Sequence, residues 1–422
     1  GGFEIEFIRV NHSIIDGVAL ALTTATGTVI HSGDFKIDYS PIDGAVTDIS
    51  RFAEYGEKGV LLLMSDSTNA ERPGHTKSES ILAGKMIDIF SASRGRIIVA
   101  TFASNIHRIQ QVLDVAGRFN KNVVISGLSM QKNIEIAKTL GYLNFRKDLI
   151  IDIGKANSLP NKKLVVICTG SQGEPMSALT RIANGTHKNF AAEKGDTVII
   201  TASVIPGNER TVTNVVNSLM KLGADVYYEQ DEDIHVSGHG SAEELKLMIT
   251  LTRPKFFIPI HGEYKQLKAH SQIAESLNIK SSRIVIAENG DILELTKKAL
   301  KKKGSVQLSQ IYVDGTEMGD VDSSVIRDRQ AMSGDGIIMV VIVISEGMLM
   351  RRPDIITRGF TGSEKVKYAE ILQRDVEEQV NKLLIANRSP DEIKARLKTS
   401  LKNFVFKITR RNPLIAVEVL EV

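Results

Sequence analysis

The chain has 422 residues, more than one ordinary hydrophobic core accommodates, so two or three domains are expected. Its 53 basic and 50 acidic residues leave a net charge of +3, which neither demands nor excludes a nucleic-acid partner, since a basic groove fits inside a near-neutral total. A single cysteine, Cys168, excludes an internal disulfide and any all-thiolate metal site, so a metal would be held by histidine and carboxylate. The longest apolar stretches, such as 336–345, are too short to span a bilayer, and no signal peptide is visible. A cytoplasmic location is therefore expected.

The chain opens on Gly1-Gly2 without a methionine and runs straight into the alternating pattern Phe3–Val10, a strand already under way. That opening predicts a fragment with sequence removed upstream. Further short strands are predicted at Gly17–Thr24, Gly27–Ser32 and Val60–Ser65, joined by the turn residues Thr26-Gly27 and Ser32-Gly33-Asp34. From about residue 78 the texture becomes alternating helix and strand. Helices are predicted at Glu79–Ser91, Ile106–Phe119, Met130–Leu140 and Glu209–Leu222, with strands at Arg96–Ala100, Val123–Ser126, Leu164–Cys168, Thr197–Ala202 and Asp225–Glu229. Strands separated by helices imply a parallel, doubly wound α/β unit.

Beyond residue 231 the pattern predicts a helix at Ala242–Thr250, a strand at Phe256–Ile260 and a helix at Tyr264–Leu277. A hairpin is predicted over Ile284–Leu295, turning at Asn289-Gly290-Asp291. The basic run 297–303 is expected on an exposed surface, and residues 321–336 read as a linker. A small α/β domain then follows: a strand at Ile337–Ile344, a helix at Ser363–Ala386, and a helix start at Ser389-Pro390-Asp391-Glu392. Val405–Ile408 and Ile415–Val419 close it.

Three candidate metal ligands stand where a strand gives way to a small-residue turn. His12 follows Phe7–Asn11, Asp34 follows His31-Ser32-Gly33, and His261 follows Phe256–Ile260. Zinc-class ions need imidazole nitrogen and carboxylate oxygen on a rigid frame, and strand ends supply that frame.

The wording around these residues resembles the beta-CASP metallo-beta-lactamase nucleases of the ribonuclease J family. Asn11-His12-Ser13-Ile14, Gly33-Asp34-Phe35-Lys36 and Pro259–Tyr264 are similar to three of its metal-ligand motifs. Ser65–Ala70, Thr101–Arg108 and His235–Ser241 are similar to its acidic motif and two later motifs. Thr169–Pro175 and Glu288–Asp291 strengthen the likeness, while Ile15 departs from it where the family has proline.

That resemblance implies an incomplete metallo-beta-lactamase αββα sandwich (1–78 and 235–320) carrying a doubly wound beta-CASP insert (79–234), with a linker (321–336) and an α/β C-terminal domain (337–422). It implies two zinc ions, with manganese or magnesium as substitutes, on His12, Asp34 and His261, and a structural calcium at Asp314. His239 and Asp34 are the implied catalytic residues. His235, Val236, Ser237, Gly238 and His239 would form a phosphate-contacting loop, joined by His107 and Asp66. The implied activity is 5′-to-3′ exonucleolytic and internal cleavage of 5′-monophosphate RNA, in mRNA decay and rRNA maturation. The implied assembly is a homodimer or homotetramer, with a place in an RNA-degradation complex. The family's His-x-His-x-Asp-His motif is absent from these residues, so the chain alone is expected to be inactive. The alternative is a non-catalytic RNA-binding or assembly subunit.

Overall fold

The computed structural model describes residues 2–205, 207–228, 234–308, 323–359 and 365–422, together with the two-residue strands Val313–Asp314 and Glu317–Met318. It divides into two units, Gly1–Gln307 and Leu308–Val422.

The first unit holds two sheets. β1 (Glu4–Arg9), β2 (Val18–Thr23), β3 (Thr28–His31), β4 (Val60–Asp66) and β10 (Phe256–Ile260) form one in that order. β1, β2 and β3 pair antiparallel, whereas β4 runs parallel to both β3 and β10. One face is covered by α1 (Ile49–Lys58), α7 (Ala242–Thr252) and α8 (Tyr264–Ser276), which bury Phe52, Leu245, Met248 and Ala274 against Ile30, Leu63 and Phe257. The other face carries a smaller cluster, in which Leu300 packs on Leu61, Leu62, Phe256 and Ile258.

The second sheet fills the insert. β6 (Asn122–Ser126), β7 (Leu164–Cys168), β5 (Ile97–Ala100), β8 (Thr197–Ile200) and β9 (Asp225–Tyr227) are parallel throughout, in that order. All five residues of β7 are buried, as expected of a central strand covered on both faces. Ile97, Val99, Val165 and Ile167 face α2 (Ser80–Ala92), α3 (Ile106–Arg118) and α4 (Leu128–Thr139). Ile98, Ala100, Val166 and Cys168 face α5 (Ala178–Ala183) and α6 (Glu209–Lys221). Helices on both faces make the insert doubly wound, the architecture the alternating pattern predicts. Residues 229–233, which include the end of the expected Asp225–Glu229 strand, lie outside the described residues.

Three expectations need correction. The hairpin is formed by β11 (Asp291–Leu295) and β12 (Leu300–Ser305) and turns at residues 296–299, not at Asn289-Gly290-Asp291. Thr296 organises that turn, its hydroxyl accepting from the Lys298 and Ala299 N–H groups. The basic run therefore lies in the turn and second arm of a hairpin; its lysines are exposed. The segment read as a linker contains helix α9 (Ser323–Asp335), polar and mostly exposed, whose apolar signal is too weak to mark a helix. Val405–Ile408 belongs to a helix rather than closing the domain as a strand.

In the second unit, β15 (Ile337–Ser345) pairs with β16 (Met348–Leu349), β17 (Asp354–Arg358) and β18 (Leu414–Glu421). Its buried residues alternate strictly, and Ile338, Val340, Ile342 and Ile344 face a core shared with α10 (Lys365–Ile385) and α11 (Pro390–Thr409). Val405 is in that core, on the same α11 stripe as Ile393, Leu397 and Leu401. Ser389 caps α11 with Pro390 in the first turn and Glu392 completing a capping box.

Candidate metal centre

The turns after β1, β3, β4 and β10, together with the loop before α7, converge on one rim of the first sheet. Each is shaped by its own residues. His12 follows Asn11, whose buried side chain donates to Ala45 O and accepts from Thr47 N. Gly33 takes a positive φ of 59° before Asp34, with its N–H donated to His31 Nδ1. His261 itself sits at φ 54°, a conformation that β10 and its flanking turn impose on a non-glycine residue.

Two donor groups result. His12, Asp34 and His239 bring potential ligand atoms within 4.8 Å of one another, as do Asp66, His239 and His261. Asp34 carboxylate oxygens lie 3.8 Å from His12 Nε2 and 3.7 Å from His261 Nδ1, between the two imidazoles. The His239 ring stands 4.8 Å from that of His12 and 5.2 Å from that of His261.

Asp66 organises this cluster from beneath. It is 1% exposed, and its Oδ2 accepts from His239 Nδ1 at 2.6 Å. Oδ1 accepts from Thr68 N and Thr68 Oγ1, and His261 Nδ1 lies 3.4 Å away. Burial alone would raise its carboxyl, but the hydrogen bonds from His239 and His261 hold it well below the usual carboxylate range. Asp66 in turn raises His261, against a smaller opposing effect of burial. His12 moves the other way, lowered by burial, while the Gly238 carbonyl accepts from its Nδ1 at 2.9 Å. That bond leaves Nε2 with a free lone pair, the arrangement typical of metal-binding histidines. Imidazole and carboxylate donors of this kind fit zinc.

The 235–241 loop divides. Ser237 accepts from Asn69 Nδ2 and from His239 N, and the His239 carbonyl accepts from Asn69 and Thr76. Gly238 is pressed against His12, since a Cβ there would lie 2.6 Å from His12 Nδ1. Val236 is buried. His235 turns instead toward the insert, its Nδ1 3.4 Å from Thr201 O, and burial lowers it to about 4. His107 lies 3.7 Å from Asp43 and is lowered by burial; it joins neither donor group. Asp314 falls in the strand Val313–Asp314, and its side chain lies outside the described residues.

Sequence reading assigned no role to Thr68, Asn69, Thr76 or Glu244. Glu244 was findable, because Ser241-x-x-Glu244 is a capping-box signature. Thr68 and Asn69 stand inside a quoted motif, but their partners lie about 170 to 195 residues away and leave no local trace.

A mixed sheet with histidine and carboxylate donors at its rim, interrupted by an all-parallel insert, defines a metallo-hydrolase of the beta-CASP class. Its domains match known families: Ribonuclease J, beta-CASP domain over residues 94–219; Zn-dependent metallo-hydrolase RNA specificity domain over 225–282; and Ribonuclease J C-terminal domain over 324–422. The chain is 44% identical over 371 residues to ribonuclease J of Synechocystis sp., covering 88% of this chain and 58% of that protein. It is 39% identical to ribonuclease J2 of Bacillus subtilis, covering 99% of this chain and 76% of the relative. Ribonuclease J of Thermus thermophilus is 38% identical, with 99% and 72% covered. The chain belongs to the ribonuclease J family. Among the described residues, no helix is long and apolar enough to cross a membrane.

Proposed function

We propose that this chain carries the substrate-facing part of a zinc-dependent ribonuclease that cleaves RNA from a 5′-monophosphate end and also internally, in mRNA decay and rRNA maturation in the cytoplasm. The observation that supports this reading best is the meeting of His12, Asp34, Asp66, His239 and His261, residues far apart in sequence, on one sheet rim. His12 would hold one zinc, His261 a second, and Asp34 both. Bound there, the cations supply Lewis-acid stabilisation of charge on the phosphate oxygens. Asp66, accepting from His239 Nδ1, keeps that imidazole in one tautomer and leaves Nε2 to meet the scissile phosphate. From there His239 delivers a proton to the leaving oxygen. The Ser237-Gly238 backbone approaches the same anion. Manganese or magnesium would substitute for zinc, Asp314 would serve a structural calcium, and a homodimer or homotetramer is the expected assembly.

Two four-coordinate zinc ions take about four ligands each. His12, Asp34 and His261 fall short of that, so we infer that the chain alone neither retains stoichiometric zinc nor cleaves RNA. The test adds zinc and RNA bearing either a 5′-monophosphate or a 5′-triphosphate, with and without a separate polypeptide carrying His-x-His-x-Asp-His. Cleavage is expected only with the added segment, and faster on the monophosphate. In that reconstituted enzyme, Asp66→Asn should lower kcat roughly 10- to 100-fold with little change in KM. Cleavage by the chain alone would refute its inactivity. RNA binding without turnover, even after reconstitution, would instead establish a non-catalytic subunit.

A further inference from the structure

A second cavity, of 320 Å³, opens at the C-terminal edge of the insert's parallel sheet. Thr101 and Phe102 follow β5, Thr169, Ser171 and Glu174 follow β7, and Ser129 stands in the first turn of α4. β5 and β7 are neighbours, yet the chain leaves β5 toward α3 on one face and β7 toward α5 on the other. That divergence is a topological switch point, where open parallel sheets place their ligands.

The polar groups of the cavity are unspent. Thr101 is 1% exposed, and among the described residues its hydroxyl has no hydrogen-bond partner. Gly127, the N-cap of α4, offers no side chain, so the first-turn N–H groups of this 12-residue helix have no side-chain cap. At Gly170, with φ 111°, a Cβ would lie 2.3 Å from Ser177 Oγ, which keeps the loop backbone bare. No lysine or arginine is among the lining residues, which argues against a polyphosphate.

We propose that this cavity binds a single nucleoside monophosphate unit, either free or as one residue of an RNA strand. The base stacks on Phe102, and the phosphate meets the first turn of α4 with the Thr101 hydroxyl donating to it. The Glu174 carboxylate accepts from a ribose hydroxyl.

The chain contains no tryptophan, so Phe102→Trp creates a lone fluorophore in the cavity wall. Titrated in EDTA with AMP, UMP and a short oligoribonucleotide, its emission should change saturably. Tighter binding of the mononucleotides indicates a free ligand, and tighter binding of the oligonucleotide a strand residue. Inorganic phosphate should bind about tenfold more weakly than either, lacking a base to stack. Thr101→Val in the same background should raise the midpoint about fivefold, as for one lost hydrogen bond, with melting and circular dichroism unchanged. Calorimetric titration of the native chain should give the same ranking. The proposal is overturned if neither assay shows saturable binding at millimolar ligand, or if Thr101→Val leaves the midpoint unmoved. Because EDTA removes metals from the readout, that failure would leave the ribonuclease reading standing, and the reverse also holds.

Discussion

His270 and Asp66 lie at the same rim and titrate in opposite circumstances. Asp66 is kept charged by the imidazoles it faces. His270 is fully buried, edge-on to Phe257, with Ser67 Oγ 2.9 Å from its Nδ1 and no partner for Nε2. Burial pushes it down to about 3. The folded state therefore favours the neutral ring, whereas the unfolded chain protonates it near pH 6.5. The stability contributed is complete above pH 6.5 and is lost as pH falls from there toward 3, at up to about 1.4 kcal/mol per pH unit. Denaturant midpoints measured between pH 7.5 and 5 should fall accordingly, and His270→Gln, which keeps a partner for Ser67, should flatten the slope. An unchanged slope in that variant would reject the assignment.

The rim depends on one buried carboxylate that joins several elements. Glu244, in the first turn of α7, is fully buried and completes a capping box with Ser241. Its Oε1 accepts from Ile37 N, and its Oε2 accepts from Thr76 N and Ser241 N. One side chain thus caps a helix, fixes the turn after Asp34 and holds the strand-to-insert passage. Glu244→Ala leaves three backbone donors without their acceptor, so the loss should be about 3 kcal/mol or more. Thermal unfolding would register it. The same substitution should loosen zinc binding in the reconstituted enzyme, because the turn bearing Asp34 loses its anchor.

Over the whole molecule, the two units each contain their own core. All thirteen fully buried members of the second unit's cluster, from Ile338 to Val417, belong to that unit. A polypeptide of residues 308–422 should therefore fold alone and unfold in one cooperative transition, followed by far-UV circular dichroism. A non-cooperative melt would show that its core depends on residues outside it. The first unit has no such division: β4 and β10 pair although the insert separates them in the chain, so the insert is held at both ends by one sheet.

Local order was readable from the sequence because it is written in local chemistry. The five-residue apolar run of β7, the helical spacing of α3 and the Ser389-Pro390 start of α11 each follow from neighbouring residues, and the structure forms them as predicted. His12, Asp34 and His261 stood out because each ends a strand, and resemblance supplied their common purpose. The α9 helix and the true hairpin turn were missed, since a polar helix has no apolar stripe and Asn289-Gly290 satisfies turn chemistry without closing a hairpin. Which imidazole each Asp66 oxygen faces, how Gly238 seats His12 and what Glu244 anchors were decided only in three dimensions. Those contacts join residues far apart along the chain, and periodicity cannot encode a partner beyond its own turn or strand.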